Sequence, residues 1–255
     1  MILAVDIGNT HIVVGCLTKE GAALKARIAA DRLKTQDEYA LILENLLRLH
    51  GLQGQTMEGG IVSSVVPGLT AALRGAVTTV TGKMPLTVGA GLKTGLNIRM
   101  DTPGELGADL VVSAVAALEK YPRPTLIFDM GTATTMSLLD KSGSYVGGLI
   151  VPGVQLSLDA LAGRASQLPH VGLEKPKGLI GTNTQDSMKA GAVYAGASML
   201  DGLVDRVNEL LETPVTAVAT GGIAGMILPY CKREICFDPD LMLRGLWLLY
   251  CKNKK

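Results

Sequence analysis

The chain has 255 residues, 47% apolar and 18% charged, and its 31 glycines follow no triplet period; collagen-like, disordered and disulfide-knot classes are thereby excluded. Lys plus Arg number 24 against 23 Asp plus Glu, a formal charge of +1, so no broad basic field draws the chain to nucleic acid or anionic lipid and a small-molecule partner is favoured. At about 100–200 residues per domain, the length fits one large domain or two similar lobes.

The opening residues carry no basic segment and meet a carboxylate at Asp6, which argues against a secretory signal and for a cytoplasmic protein. Residues 2–5 and 12–17 are apolar runs joined by Asp6-Ile7-Gly8-Asn9-Thr10-His11, whose Gly and Asn predict a β-hairpin with a polar tip. A third strand is predicted over 22–28, and residues 38–50 place Tyr39, Ile42, Leu43, Leu46 and Leu47 at helical spacing before Gly51. A buried strand over 61–64, a helix over 69–80 opened by Pro67, and a strand over 86–88 follow. A Val- and Ala-rich helix over 110–118 runs into Tyr121-Pro122-Arg123-Pro124, which breaks the chain. Lobes of 1–119 and 120–255 are therefore expected.

The second half repeats the opening. A strand over 126–128, a tip of Asp129-Met130-Gly131-Thr132-Ala133-Thr134, a return strand over 135–139 and a third strand over 145–151 come in turn. Helices over 154–161 and 185–211, a strand over 215–219 and a closing helix over 239–250 complete the pattern. Mean hydropathy is +0.31 and 213–231 lacks charge, but Pro214, Gly221, Gly222, Gly225 and Pro229 interrupt that stretch. It reads as strand, glycine turn and short helix, so no membrane span is expected. The two Asp-x-Gly tips lie 123 positions apart in 255, which predicts an α/β protein built by internal duplication.

Both tips suit phosphate. Glycine lets backbone N–H groups approach an anion closely, and hydroxyl or amide side chains complete the cradle. Each strand-end Asp can hold a hard cation or its water shell. There is no Walker lysine loop and no Gly-x-Gly-x-x-Gly. Ala219-Thr220-Gly221-Gly222, after a strand, is a further candidate to lie against a nucleotide. Phosphoryl transfer also needs a carboxylate to take the acceptor's proton. Asp109 in Gly107-Ala108-Asp109 fits that role, and it fits equally as an N-cap. Thr184 has the same two readings, ligand contact or helix cap. Cys16, Cys231, Cys236 and Cys251 lack both a disulfide framework and a zinc spacing, and are expected to be reduced. His11 reads as a turn-exposed side chain without a catalytic role, and Trp247 as a candidate for a dimer seam.

Together with Gly147-Gly148, Pro152-Gly153 and Gly181-Thr182-Asn183-Thr184, these motifs resemble in order those of type III pantothenate kinase, from Met1 to about Tyr250. The resemblance implies a member of the actin, hexokinase and acetate kinase superfamily, with two ribonuclease-H-like lobes and a nucleotide cleft between them. It implies phosphorylation of pantothenate to 4′-phosphopantothenate, the first step towards coenzyme A. By the same resemblance the stretch Asp6, Ile7, Gly8, Asn9, Thr10, His11, Ile12 and Val13 binds ATP with Thr132, and magnesium accompanies the nucleotide. Asp129 would hold potassium or ammonium, and Asp109 would be the base. Met100, Gly107, Ala108, Leu110 and Thr184 would line the pantothenate site of a homodimer. Two positions depart from the family pattern: Leu110 stands where Arg is usual, and Met100 where an aromatic is usual. A lost charged hydrogen bond to substrate costs about 1.5–3 kcal/mol, or roughly 10- to 150-fold in affinity, unless Arg99, Lys93 or Arg164 substitutes. That alteration leaves two alternatives beside the kinase, an accessory homologue and a kinase for another small hydroxyl acceptor.

Overall fold

The structure, a computed structural model, describes residues 1–254. The chain forms two compact units: residues 1–96 with 101–119 and the segment from 240 onward, and residues 97–100 with 120–239.

The first unit begins with β1 (Ile2–Ile7), β2 (His11–Thr18) and β3 (Gly21–Ala29) as a meander, followed by α1 (Gln36–Leu49), β4 (Gly59–Ser64), α2 (Pro67–Thr81) and β5 (Leu86–Thr87). α1 starts two residues before its apolar pattern because of a capping box. The Thr35 hydroxyl accepts the Glu38 N–H at 3.3 Å, and the Glu38 carboxylate accepts the Thr35 N–H at 2.7 Å. The sheet order is β3-β2-β1-β4-β5, with β1 antiparallel to β2 and parallel to β4. Side chains alternate across β1. Leu3, Val5 and Ile7 enter the core with Tyr39, Leu43, Leu69 and Leu73 of α1 and α2. Ile2 and Ala4 face the other way, onto Val111 and Val112 of α3 (Ala108–Lys120). A 3-10 turn, Pro103–Glu105, precedes α3.

The second unit contains β6 (Thr125–Met130), β7 (Ala133–Leu139), β8 (Tyr145–Pro152), α4 (Val154–Arg164), α5 (Thr184–Leu211), β9 (Thr216–Thr220), α6 (Ala224–Ile227) and β10 (Cys236–Phe237). Its sheet order is β10-β9-β6-β7-β8, with β6 antiparallel to β7 and parallel to β9. Read from the opposite edge, that is the first sheet again, strand for strand. The duplication expected from two tips therefore extends to whole sheets. Its fifth strand, β10, is not among the elements predicted from the sequence. The two hairpins differ by one residue: Ile7 pairs with Ile12 across the first tip, Met130 with Thr134 across the second.

The single cut expected at 119/120 needs correction on both sides. The closing helix, α7 (Leu241–Asn253), belongs to the first unit, where Leu243, Leu246, Leu249 and Tyr250 pack with Ile2, Ala4, Ile61 and Val112. Residues 97–100 belong to the second, held by the Arg99 N–H on the Tyr145 carbonyl and the Tyr145 N–H on the Asn97 carbonyl, both at 2.8 Å. Trp247, read as a candidate for a seam, is half-buried in the cluster around Val112. α7 approaches α3 so closely that a Cβ on Gly245 would overlap the Val112 carbonyl oxygen and lie 2.7 Å from its Cγ1. Gly245→Ala is expected to destabilise the protein by about 1–3 kcal/mol, the usual range for overpacking. Urea unfolding checks this, and an unchanged midpoint would contradict the close approach. No helix among the described residues is long and apolar enough to cross a membrane.

Candidate functional site

The first hairpin tip is anchored from three sides. The Gly8 N–H donates to the His11 carbonyl at 3.0 Å, the Ala30 N–H to the Thr10 carbonyl at 3.0 Å, and the Val65 N–H to the Ile7 carbonyl at 3.1 Å. A Cβ at position 8 would stand 3.0 Å from that His11 oxygen. Asn9, Thr10 and His11 are exposed, as the turn reading of His11 requires. Ile7 and Ile12 are fully buried in the core. Within the assigned stretch 6–13 those two have only backbone to offer a ligand.

Asp6 is half-buried and stands in register with Val13 on β2 and with Ser63 on β4. In the second unit Asp129 stands in register with Thr135 on β7 and Thr220 on β9. Each tip aspartate thus has a hydroxyl residue on the neighbouring parallel strand. Among the described residues no group of three or more His, Cys, Asp or Glu side chains could enclose a metal. An aspartate flanked by a hydroxyl fits a hard cation that brings phosphate oxygens and water with it, as magnesium does with nucleotides. The Ser63 Oγ, buried and without a hydrogen bond, is the observation that supports such a fit.

The glycines scattered along the second half converge on the second hairpin. The Gly131 N–H donates to the Ala133 carbonyl at 3.0 Å, Gly153 to Thr132 at 3.1 Å and Ile223 to Met130 at 3.2 Å. A Cβ on Gly153 would overlap the Gly131 and Thr132 carbonyl oxygens, and one on Gly148 the Met136 carbonyl. Gly221, at φ +92°, would place a Cβ 2.6 Å from the Met130 nitrogen and 2.7 Å from Asp129 Oδ1. Close backbone approach accounts for these positions. Gly221, read in sequence as a candidate to lie against nucleotide, is packed on the Asp129 tip. Thr132 is exposed at that tip.

Asp109 lies inside the first turn of α3, because the helix begins at Ala108 and not at residue 110. The N-cap alternative does not describe it: its Oδ1 accepts the N–H of the next residue, Leu110, at 2.8 Å. Burial pushes its carboxyl above the ordinary 3.8, and the Leu110 N–H works against that rise by stabilising the anion. A carboxylate so placed is a stronger base than one in water. Gly107, Ala108 and Leu110, all half-buried, surround it in the first unit, while Met100 belongs to the second. Of the possible stand-ins for the missing arginine, Arg99 is engaged with Asp140 at 3.5 Å.

The cap of α5 is Asn183, not Thr184. Asn183 Oδ1 accepts the Asp186 N–H at 2.9 Å, and Gly181 packs directly on the backbone of residues 186 and 187. Thr184 is left exposed on the wall of a groove of about 980 Å³ within the second unit, beside Leu158, Leu161, Leu168 and Met188. Sequence reading missed this groove, because it arises from α4 lying along α5.

The sequence model of the type III pantothenate kinase family matches residues 2–206. The type III pantothenate kinase of Halalkalibacterium halodurans is 43% identical over 99% of this chain and 100% of its own length. The type III pantothenate kinase of Moorella thermoacetica is 42% identical over the same shares. Among solved structures, the ROK hexokinase of Thermus thermophilus superposes with a TM-score of 0.50 at 14% identity, covering 99% of each chain. That likeness concerns the fold alone.

Proposed function

The chain belongs to the type III pantothenate kinase family, and from that premise we propose that Asp109 is the base of its reaction and that the two hairpin tips receive the nucleotide. The protein phosphorylates pantothenate at the expense of ATP, on the route to coenzyme A. The observation that carries the assignment is Asp109 itself: half-buried at the start of α3, its Oδ1 steadied by the Leu110 N–H, its basicity raised by burial.

Asp109 takes the proton of the pantothenate 4′-hydroxyl as that oxygen forms its bond to the γ-phosphorus. The bond from γ-phosphorus to the β,γ-bridging oxygen breaks, and ADP departs with that electron pair. The products are 4′-phosphopantothenate and ADP, with the proton left on Asp109 for release to solvent. Gly8, Asn9 and Thr10 hold the phosphates by backbone and short polar groups, with Asp6 at the strand end. Asp6 would hold the magnesium that accompanies ATP, whose charge would offset that of the phosphates. Thr132 is assigned to the nucleotide and Asp129 to a monovalent cation, potassium or ammonium.

Thr184 is assigned to the pantothenate site with Met100 and residues 107–110. The protein is proposed to act in the cytoplasm as a homodimer.

A coupled assay of ADP release with ATP, magnesium and pantothenate, run in potassium, ammonium and sodium salts, tests both halves of the assignment. The expected result is pantothenate-dependent turnover several-fold faster in potassium or ammonium than in sodium. Equal rates in all three would remove the cation from Asp129. Turnover with a different hydroxyl compound, but none with pantothenate, would reassign the acceptor.

A further inference from the structure

Two serines in sequence, Ser63 and Ser64, end β4 and do opposite things. Ser64 Oγ accepts the Val66 N–H at 3.1 Å and the Thr70 hydroxyl at 2.8 Å, and so ties the turn that leads into α2. Ser63 is 0% exposed and its Oγ meets no partner. Buried hydroxyls in folded proteins are nearly always bonded, because an unmet one keeps its desolvation penalty with nothing in return. Alanine would remove that penalty, so the fold gives no reason for serine here.

Its neighbour supplies one. Ser63 is the parallel partner of Asp6, and residues in register on parallel strands point to the same face. That face bears Ile2, Ala4 and Ile61 further down the strands and receives α3. Asp6 and Ser63 are its last members on β1 and β4. The duplicated sheet repeats the arrangement with Thr220 beside Asp129. Another unpartnered buried hydroxyl, Thr134, pairs instead with Met130, a member of the second unit's core, and stands beside no carboxylate in its ladder.

We propose that Ser63 is a further nucleotide-binding residue, its hydroxyl held for a hydrogen bond to the oxygen shell of magnesium–ATP at Asp6. The assignment rests on the first tip receiving the phosphates, as proposed above. Position 63 then trades ligand-free stability for ligand contact, which separates it from a structural serine.

Three variants of the full chain, Ser63→Ala, Ser64→Ala and Asp6→Asn, are measured by ligand-free melting and by calorimetric titration with magnesium and a non-hydrolysable ATP analogue. Ser63→Ala is expected to melt at or above the parent temperature and to bind the analogue about 10-fold more weakly, the lower end for a hydrogen bond to a charged group. Ser64→Ala is expected to melt lower while keeping parental affinity. An unchanged affinity in Ser63→Ala, or a melting point several degrees below the parent, overturns the inference. If Asp6→Asn binds the analogue as tightly as the parent, the phosphate-site reading itself fails. If Asp6→Asn weakens binding and Ser63→Ala does not, only the role of Ser63 falls.

Discussion

Asp109→Asn is expected to lower kcat by about 10²- to 10⁴-fold, the range for loss of a positioned general base, and at the same time to raise the melting temperature. The amide oxygen of Asn keeps an acceptor for the Leu110 N–H, so the helix start is preserved. What disappears is the capacity to take a proton, together with the cost of burying a carboxylate. Because burial raises the carboxyl of Asp109 above 3.8, the folded protein holds its proton more tightly than the unfolded chain does. Below the unfolded value both states are protonated and the site costs nothing. As pH climbs through the raised folded value the anion forms in a place that disfavours it, and stability is lost. The melting temperatures of parent and variant should therefore converge in acid and separate as pH rises through that window. The acid limb of kcat/KM should likewise lie above the ordinary aspartate range. A variant within a few-fold of parental kcat would sink the base assignment, and a melting difference that does not narrow in acid would sink the burial argument.

Much of this was legible from residue pattern because hairpins and amphipathic helices are local. Gly8-Asn9 and Gly131 marked both tips, and the 123-residue offset anticipated a duplication that the two sheets carry strand for strand. What could not be read is what depends on contact between distant segments. α7 follows the second unit in sequence yet packs with Ile2 and Val112, since apolar helix faces do not declare which core they join. The cap of α5 fell to Asn183 in place of Thr184 because both residue types cap well and only φ/ψ decides between them. Ser63 was invisible for the same reason. Its meaning lies in its register with Asp6, 57 positions away, and strand pairing is not written in either strand alone.

Gly221→Ala is expected to damage the second hairpin by about 3 kcal/mol or more, from backbone strain combined with overpacking. At φ +92° the backbone already favours glycine, and the added Cβ would lie 2.6 Å from the Met130 nitrogen and 2.7 Å from Asp129 Oδ1. The first is backbone of β6, and the second is the carboxylate of the tip aspartate. Met130 belongs to the β6–β7 ladder, and its carbonyl accepts the Ile223 N–H at 3.2 Å. Relief therefore requires β6 to shift or the Asp129 carboxylate to turn away. Gly82→Ala isolates the conformational part, because Gly82 ends α2 at φ +69° with nothing within 4 Å of its Cβ position. That control is expected to cost about 1–2 kcal/mol, the ordinary penalty for a side chain in the left-handed region. Urea unfolding of both variants measures the difference. Equal losses would mean that the tip yields easily and that Gly221 is there for its φ alone. A larger loss at Gly221, joined to a weakened response of turnover to potassium at temperatures where the variant stays folded, would show that the same methyl displaces Asp129. The glycine would then serve the cation site by leaving room for the carboxylate.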